Sequence, residues 1–308
     1  MQSERPSLRR RRFLAAAAAG TLLPVVGRTT CRGEVSDTKR EICVFTKALQ
    51  TMPWDRMAQQ LADWKVAGAE APVRVGGHIE PHEVPDRLPQ FAEVLRSRGL
   101  VITVLTSDVN DPNDPLTETV LRTAAGLGIR YYRMKYFKYD ESRPVMQQIT
   151  EWQSALKDLA ALNQELGITA VYQNHAGRNY FGAALWDLHR ALEHIDPQHI
   201  GAAYDIRHAT VEAGMSWPIS FRLIRPHIRV VYVKDFRWNE GQPENVPLGQ
   251  GHVQRGFFRL LQESGFQGPV SLHEEYVDHR DPSLIPQHTE AITADLATLR
   301  EWLDGEQR

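Results

Sequence analysis

The stretch Val230-Val231-Tyr232-Val233-Lys234-Asp235 is a short apolar run that ends in ionisable side chains. Five other runs end in the same way, at residues 73–78, 133–135, 172–175, 204–208 and 272–275. Between the runs lie segments with apolar residues at three- and four-residue spacing, the pattern of a helix packed on one face. This alternation is typical of a parallel barrel enzyme, in which the carboxyl ends of the strands meet at one mouth.

The same pattern repeats along most of the chain. We predict strands at residues 42–46, 69–74, 101–106, 131–135, 169–174, 200–205, 228–234 and 269–274. We predict helices at residues 57–66, 88–95, 120–127, 146–166, 185–192, 217–225, 257–261 and 292–302, of which 217–225 has the weakest pattern. An open doubly wound sheet would alternate in the same way, but eight strands and no glycine-rich phosphate turn after the first favour a closed barrel. The sequence therefore predicts an α/β protein with a single (β/α)8 TIM barrel domain over residues 41–305.

The first 33 residues have the pattern of an export signal. Arg10-Arg11-Arg12-Phe13-Leu14 resembles the twin-arginine motif, and an alanine-rich apolar stretch follows it up to Val26. That stretch is too short to predict a membrane span, so we expect no membrane partner for the mature form. We expect residues 1–33 to be a twin-arginine-type signal peptide and linker, and the protein to be periplasmic or secreted. A disordered basic tail is the alternative.

The charge balance and the cysteines narrow the expected partners. With 36 basic and 38 acidic residues, the chain has no excess of positive charge that would predict a nucleic acid as partner. Its two cysteines, Cys31 and Cys43, predict neither a disulfide framework nor a thiolate metal site. We therefore expect a small-molecule partner, and the charge balance disfavours a nuclease.

Four motifs in the C-terminal half carry a resemblance to a known family. They are Tyr204-Asp205-Ile206-Arg207-His208-Ala209, Tyr232-Val233-Lys234-Asp235, Val246-Pro247-Leu248-Gly249-Gln250-Gly251 and Gly268-Pro269-Val270-Ser271-Leu272-His273-Glu274-Glu275. With them the chain resembles the xylose isomerase-like TIM barrel superfamily of sugar and sugar-phosphate isomerases and epimerases, and most of all an exported subgroup. The resemblance implies an enzyme that acts on a keto- or aldo-sugar by proton transfer next to a carbonyl.

The resemblance also implies a divalent metal, held by Glu, Asp, His and Glu from the fifth to the eighth strand. By position these ligands fall on Gln173, Asp205, Tyr232 and His273, or on Glu275 if the eighth strand shifts by two residues. The expected metal site therefore consists of Asp205, His273 and Glu275, with Gln173 as a weak oxygen ligand. Oxygen-rich ligation with one imidazole favours Mn²⁺ or Mg²⁺ over Zn²⁺.

Four side chains at strand ends are our candidates for catalysis: Asp205, His208, Lys234 and Glu275. A charge at the end of an apolar run is costly to bury alone, so it should pair or bind a ligand. Desolvation lowers the pKa of a lysine, which can then serve as a base or as an electrostatic clamp. An ion pair of Lys234 with Asp205 or Glu275 is the structural alternative. The resemblance adds that His208 matches a substrate-binding histidine.

A second set of residues is expected to bind the substrate: Arg74, His78, Arg133, Lys135, Gln173, His175 and Tyr232. Side chains alternate along a strand, so residues two apart, such as Arg133 and Lys135, should share a face. Amide and imidazole groups suit a ligand rich in hydroxyls. The guanidinium of Arg74 suits a carboxylate or a phosphate.

Three functions follow from these residues. The first is isomerisation or epimerisation of a sugar with a metal that polarises the carbonyl. The second is a metal-independent epimerase or lyase, in which Lys234 and His208 stabilise an oxyanion and Glu275 or Asp205 is the base. The third is a non-catalytic periplasmic carbohydrate-binding barrel, which would need fewer ionisable groups than these strand ends carry.

Overall fold

Eight parallel strands of the chain pair around a closed circle. The computed structural model describes residues 40–305. The strands are β1 Ile42–Phe45, β2 Gly68–Val73, β3 Val101–Ser107, β4 Tyr131–Arg133, β5 Thr169–Gln173, β6 Ile200–Asp205, β7 Ile228–Val233, β8 Asp235–Asn239, β9 Gln242–Val246 and β10 Val270–Leu272. The circle runs β1-β10-β7-β6-β5-β4-β3-β2, and β8 and β9 form a separate antiparallel hairpin. The predicted (β/α)8 TIM barrel is confirmed, and the predicted signal peptide lies outside the described residues.

Helices cover the outside of the strands. They are α1 Trp54–Asp63, α2 Val84–Arg96, α3 Thr117–Gly126, α4 Val145–Leu166, α5 Trp186–Leu192, α6 Ile206–Ala213, α7 Trp217–Ile224, α8 Gly256–Glu263 and α9 Ile285–Asp304. In α4, for example, Ile149, Leu156 and Leu159 are buried on one face, and Gly167 ends the helix with a φ of 65° that favours glycine. Among residues 40–305, no helix is long and apolar enough to span a membrane.

The barrel interior has its own small core. Its buried side chains are Val104, Val171, Ala203, Val230 and Tyr232. Two residues further along three of these strands come Gln173, Asp205 and Lys234, which face the same way because side chains alternate. The functional side chains therefore form the layer directly above the apolar interior, at the carboxyl ends of the strands.

The mouth contains two elements that the sequence pattern does not predict. The chain forms two helices between β6 and β7, whereas the pattern predicts one. The first of them, α6, is capped by Asp205, whose side chain accepts a hydrogen bond from the backbone N–H of His208 at 3.0 Å. The β8–β9 hairpin is mostly exposed, so it lacks the apolar run by which a buried strand is recognised. In addition, β4 and β10 each end two residues earlier than predicted.

Candidate active site

Three charged side chains meet at the ends of β6, β7 and β10: Asp205, Lys234 and Glu275, named here the charge triad. The Nζ atom of Lys234 lies 2.6 Å from Oε2 of Glu275 and 3.3 Å from Oδ2 of Asp205. Lys234 is only 5% exposed and Asp205 is fully buried, so this pairing replaces the water that both charges lose. Burial alone lowers the pKa of Lys234, but the two carboxylates outweigh it and raise that pKa above its ordinary value. Lys234 is therefore a fixed positive charge at the mouth.

Glu275 is the exposed member of the charge triad. Burial raises the pKa of its carboxyl group, but the charge of Lys234, followed by those of His273 and Lys47, holds that pKa far below the usual range. Its side chain is 22% exposed, and the Nζ atom of Lys47 lies 3.9 Å from its Oε1 atom. Glu275 is therefore an ionised carboxylate that a ligand can reach at neutral pH.

Gln173 connects the charge triad with the opposite side of the mouth. Its Nε2 atom donates to Oδ2 of Asp205 at 2.8 Å. Its Oε1 atom accepts from the hydroxyl of Tyr136 at 2.5 Å and from Nη1 of Arg133 at 3.2 Å. Because an ionised carboxylate only accepts and a guanidinium only donates, the amide has one workable orientation. Sequence reasoning missed Tyr136, although it follows the selected segment that contains Arg133.

Two neutral histidines lie beside the charge triad. The rings of His175 and His208 are 4.0 Å apart. Nδ1 of His208 lies 3.0 Å from Nη1 of Arg207, which can only donate, so the imidazole proton is on Nε2, 3.5 Å from Oδ2 of Asp205. Burial, followed by the charge of Lys234, lowers the pKa of His208 well below its usual range and that of His175 to about 4. Both rings are therefore neutral near pH 7.

Glu70 is a buried charged residue of the mouth that sequence reasoning missed. Its Oε1 atom accepts from the hydroxyl of Thr106 at 2.6 Å, and its Oε2 atom lies 2.8 Å from Nε2 of His273. Burial raises the pKa of Glu70, but the charge and hydrogen bond of His273 outweigh it and hold the pKa at about 2. The available signal was a lone carboxylate within the apolar run Gly68-Ala69-Glu70-Ala71-Pro72-Val73.

These side chains surround a cavity of about 170 Å³. Its lining residues are Phe45, Lys47, Arg74, Arg133, Tyr136, Gln173, His175, Lys234, His273 and Glu275. The structure thus brings seven predicted site residues to one cavity, while Asp205 and His208 lie directly behind its wall. Four of the lining side chains are lysine or arginine, and Glu275 is the one carboxylate among them.

Three predicted substrate-binding residues lie away from this cavity, which corrects their expected placement. His78 is buried against the ring of Phe91, and its Nε2 atom lies 2.8 Å from the hydroxyl of Thr46. Lys135 lines a different cavity, because β4 ends at Arg133 and the alternation of side chains ends with it. Tyr232 is fully buried one layer deeper, with its ring 4.4 Å from that of His273.

The expected metal ligands Asp205, His273, Glu275 and Gln173 do not fit a divalent cation in this arrangement. The ammonium of Lys234 occupies the space between the two carboxylates. The imidazole of His273 forms a hydrogen bond with the carboxylate of Glu70. The amide oxygen of Gln173 already accepts hydrogen bonds from two donors. Within the described part of the chain, no group of three or more His, Cys, Asp or Glu side chains is placed to hold a metal. The predicted metal site is therefore not formed by these residues.

The chain matches a known protein family in sequence. A family model described as xylose isomerase-like TIM barrel matches residues 58–302. The chain belongs to this family. The match extends from α1 to α9 and so includes every strand of the barrel except β1. No curated protein matches the chain in sequence.

Several solved structures share the fold. The 3-keto-D-glucoside 4-epimerase from E. coli is 16% identical, with a TM-score of 0.64 over 84% of this chain and 100% of that chain. A D-psicose 3-epimerase from Clostridium cellulolyticum H10 is 10% identical, with a TM-score of 0.66 over 85% and 99%. A probable 3-DHS dehydratase from Bacillus anthracis is 13% identical, with a TM-score of 0.64 over 84% and 98%. At these identities the likeness establishes the fold of the family and not the reaction.

Proposed function

We propose that the protein is a sugar isomerase or epimerase that moves a proton next to a carbonyl, with Lys234 supplying the positive charge at the site. The observation that carries the proposal is the position of the Lys234 ammonium between Asp205 and Glu275. Two of the similar structures, the 3-keto-D-glucoside 4-epimerase and the D-psicose 3-epimerase, are sugar epimerases, which supports the substrate class. The family itself supports an enzyme that acts on a small molecule.

The proposed reaction begins with removal of a C–H proton next to the carbonyl of the sugar. Glu275 is the base, because it lines the cavity and is ionised, whereas Asp205 lies behind the wall. As the proton leaves, its electron pair moves to the carbonyl oxygen, and Lys234 stabilises the resulting enediolate. Return of the proton to the neighbouring carbon, while the hydroxyl proton passes to the former carbonyl oxygen, gives the isomer. In an epimerisation the same carbon receives a proton from solvent on its opposite face, and Glu275 releases the abstracted proton to solvent.

Lys234 also couples the charge of the substrate to the basicity of Glu275. In the free protein the ammonium lies 2.6 Å from Glu275 and lowers the pKa of its carboxyl group. When the ammonium turns toward an oxygen that gains negative charge, its attraction to Glu275 weakens and the carboxylate becomes a stronger base. Asp205, held by Gln173 and by the backbone N–H of His208, keeps the ammonium at the mouth.

A lyase is the second candidate, because elimination begins with the same proton removal. The probable 3-DHS dehydratase shares the fold as well as the epimerases do, by TM-score. The ring of His175 lines the same cavity, and its neutral imidazole can form a hydrogen bond with a hydroxyl group of the substrate. An elimination would release an unsaturated carbonyl compound that absorbs in the ultraviolet, whereas an isomerisation or epimerisation would not.

Hydrogen exchange with solvent tests the proposal. Protein treated with a chelator is incubated in deuterium oxide with a panel of ketoses and aldoses, and NMR measures deuterium next to the carbonyl. We expect exchange that survives chelation and does not rise with added Mn²⁺. Exchange that requires Mn²⁺ would instead support the metal-assisted reaction. Binding of a sugar with no exchange under either condition would support the non-catalytic carbohydrate-binding barrel.

A further inference from the structure

The side of the cavity opposite Asp205 is formed by three positive side chains, named here the cationic wall. Lys47 lies in the short 3-10 helix Thr46–Leu49 after β1, Arg74 directly follows β2, and Arg133 is the last residue of β4. All three line the cavity of about 170 Å³. The ends of β1, β2 and β4 thus bring three cations from distant parts of the chain to one surface.

The two guanidinium groups of the cationic wall have no carboxylate partner among residues 40–305. Arg133 is 4% exposed, its side chain forms hydrogen bonds only with the neutral groups of Thr106 and Gln173, and its guanidinium lies 4.9 Å from the ring centroid of Tyr136. The guanidinium of the half-buried Arg74 makes no hydrogen bond or ion pair in this part of the chain and lies 6.0 Å from the ring centroid of Phe45. Because a buried charge such as that of Arg133 is normally paired, this arrangement leaves a place for an anion.

The carboxylates nearest to the cationic wall are already engaged. Glu275 lies 2.6 Å from Lys234 but 3.9 Å from Lys47. Glu70 is bonded to His273 and to the hydroxyl of Thr106. Asp108 accepts from the backbone N–H of Val75 at 2.8 Å and forms no ion pair with Arg74. The positive charges of Arg74 and Arg133 therefore have no carboxylate within ion-pair distance among the described residues, whereas Lys47 shares Glu275 with Lys234.

From this imbalance we propose that the cationic wall binds an anionic group of the substrate, a carboxylate or a phosphate, so that the substrate is an acidic sugar. The proposal rests on the proposed function, since it names the substrate class of the same cavity. Guanidinium groups bind both oxyanions with two parallel hydrogen bonds. An anion held at Arg74 and Arg133 would leave the rest of the sugar to extend toward Lys234 and Glu275, where the proton is moved.

Binding measurements with matched sugars test this proposal. Isothermal titration calorimetry on the purified protein compares D-glucuronate, D-glucose 6-phosphate and D-glucose, which share a ring and differ in charge. We expect one or both anionic sugars to bind at least about tenfold more tightly than D-glucose, the size of one charged hydrogen bond. The anionic sugar whose affinity exceeds that of D-glucose by more identifies the charged group, a carboxylate of a sugar acid or the phosphate of a sugar phosphate. Equal affinity for D-glucose and both anionic sugars would overturn the proposal.

Two variants show whether the tighter binding of anionic sugars arises at the cationic wall. Arg74→Gln removes a guanidinium that has no protein partner, so the fold should persist while the preference for the anionic sugar falls about tenfold. Arg222→Gln on the exposed face of α7 is the matched control and should keep the preference. A preference for anions that survives Arg74→Gln would contradict the assignment, and so would a preference that does not weaken with added salt.

The titrations and the deuterium-exchange experiment together separate failure of the proposed substrate class from failure of the proposed reaction. An anionic sugar that binds at the cationic wall but exchanges no deuterium would contradict the proposed reaction and leave the substrate class in place. Exchange on neutral sugars without any preference for anionic ones would contradict the substrate class and leave the reaction in place.

Discussion

The two sides of the mouth use charge differently. In the charge triad, Lys234 has a carboxylate within 3.3 Å on each side, so its charge is paired before any ligand arrives. In the cationic wall, Arg74 and Arg133 have no carboxylate partner within the described residues. A cation that is already paired can shift as a proton moves, whereas an unpaired one attracts a ligand of opposite sign. The comparison therefore supports the proposed proton transfer on one side and the proposed substrate binding on the other.

Removal of Lys234 should have the largest effect, because it leaves both carboxylates of the charge triad without their cation. We expect Lys234→Met to reduce turnover by about 10²- to 10³-fold, the loss typical for one group that stabilises an oxyanion. It should also destabilise the fold by roughly 3 kcal/mol, since the buried Asp205 and the partly buried Glu275 lose their cation. Steady-state kinetics and urea unfolding measure the two effects. Lys157→Met on the exposed face of α4 is the matched control.

A second variant keeps this prediction decisive if Lys234→Met fails to fold. Glu275→Gln removes the proposed base and retains the pair of Lys234 with Asp205. We expect a folded protein, judged by circular dichroism, that binds sugar and exchanges no deuterium. Normal exchange in this variant would show that the proton is moved by another group.

Glu70→Gln should have a smaller effect that depends on pH. Because the pKa of Glu70 is about 2 in the folded protein, below its ordinary value of 4.5, the ionised carboxylate stabilises the fold above pH 4.5. That stabilisation is lost as the pH falls from 4.5 toward 2. We expect a loss of roughly 1–3 kcal/mol at pH 7 and a smaller difference from the wild type at pH 3, measured by urea unfolding. Glu93→Gln, in an exposed ion pair with Arg96, should change little at either pH.

Tyr136→Phe should modestly weaken the hydrogen-bonded connection that Gln173 makes between the charge triad and the cationic wall. The variant removes the hydroxyl that donates to Gln173 at 2.5 Å, so the amide loses one of its two donors. We expect a loss of about 1 kcal/mol, roughly fivefold, in kcat/KM. Tyr131→Phe at the opposite end of β4 is the control. A change confined to KM would show that Gln173 serves the cationic wall alone.

The pH profile should show no effect of the two histidines near neutral pH. The pKa of His175 is about 4 and that of His208 lies well below the usual range, so neither ring gains a proton until the solution is acidic. We expect kcat/KM to stay level between about pH 6 and 9 and to fall as the pH drops toward 4, where His175 becomes charged next to Lys234. An inflection near the ordinary histidine value of about 6.5 would contradict the burial of these rings.

The last strand of the barrel, β10, shows how much side-chain alternation in the sequence can predict. Side-chain alternation predicts that Glu274 points outward while His273 and Glu275 share the other face. The structure places Glu274 against His288 of α9, and His273 and Glu275 at the cavity. Alternation fails for Lys135, which lies two residues beyond the end of β4 at Arg133. His273 and Glu275 also lie beyond the end of their strand at Leu272, and there the alternation continues. Periodicity alone therefore does not predict where the alternation stops.

The sequence by itself determined the barrel and the gathering of Asp205, Lys234 and Glu275, because apolar runs define strands and parallel strands end on the same side. The sequence offered an ion pair of Lys234 with Asp205 or Glu275, and only the tertiary structure decided that it forms with both. Glu70 meets His273 across 203 residues of chain, and the ammonium of Lys234 lies where the expected metal would have been. The stagger of neighbouring strands sets the layer that each side chain occupies, and this stagger is fixed only when the barrel closes.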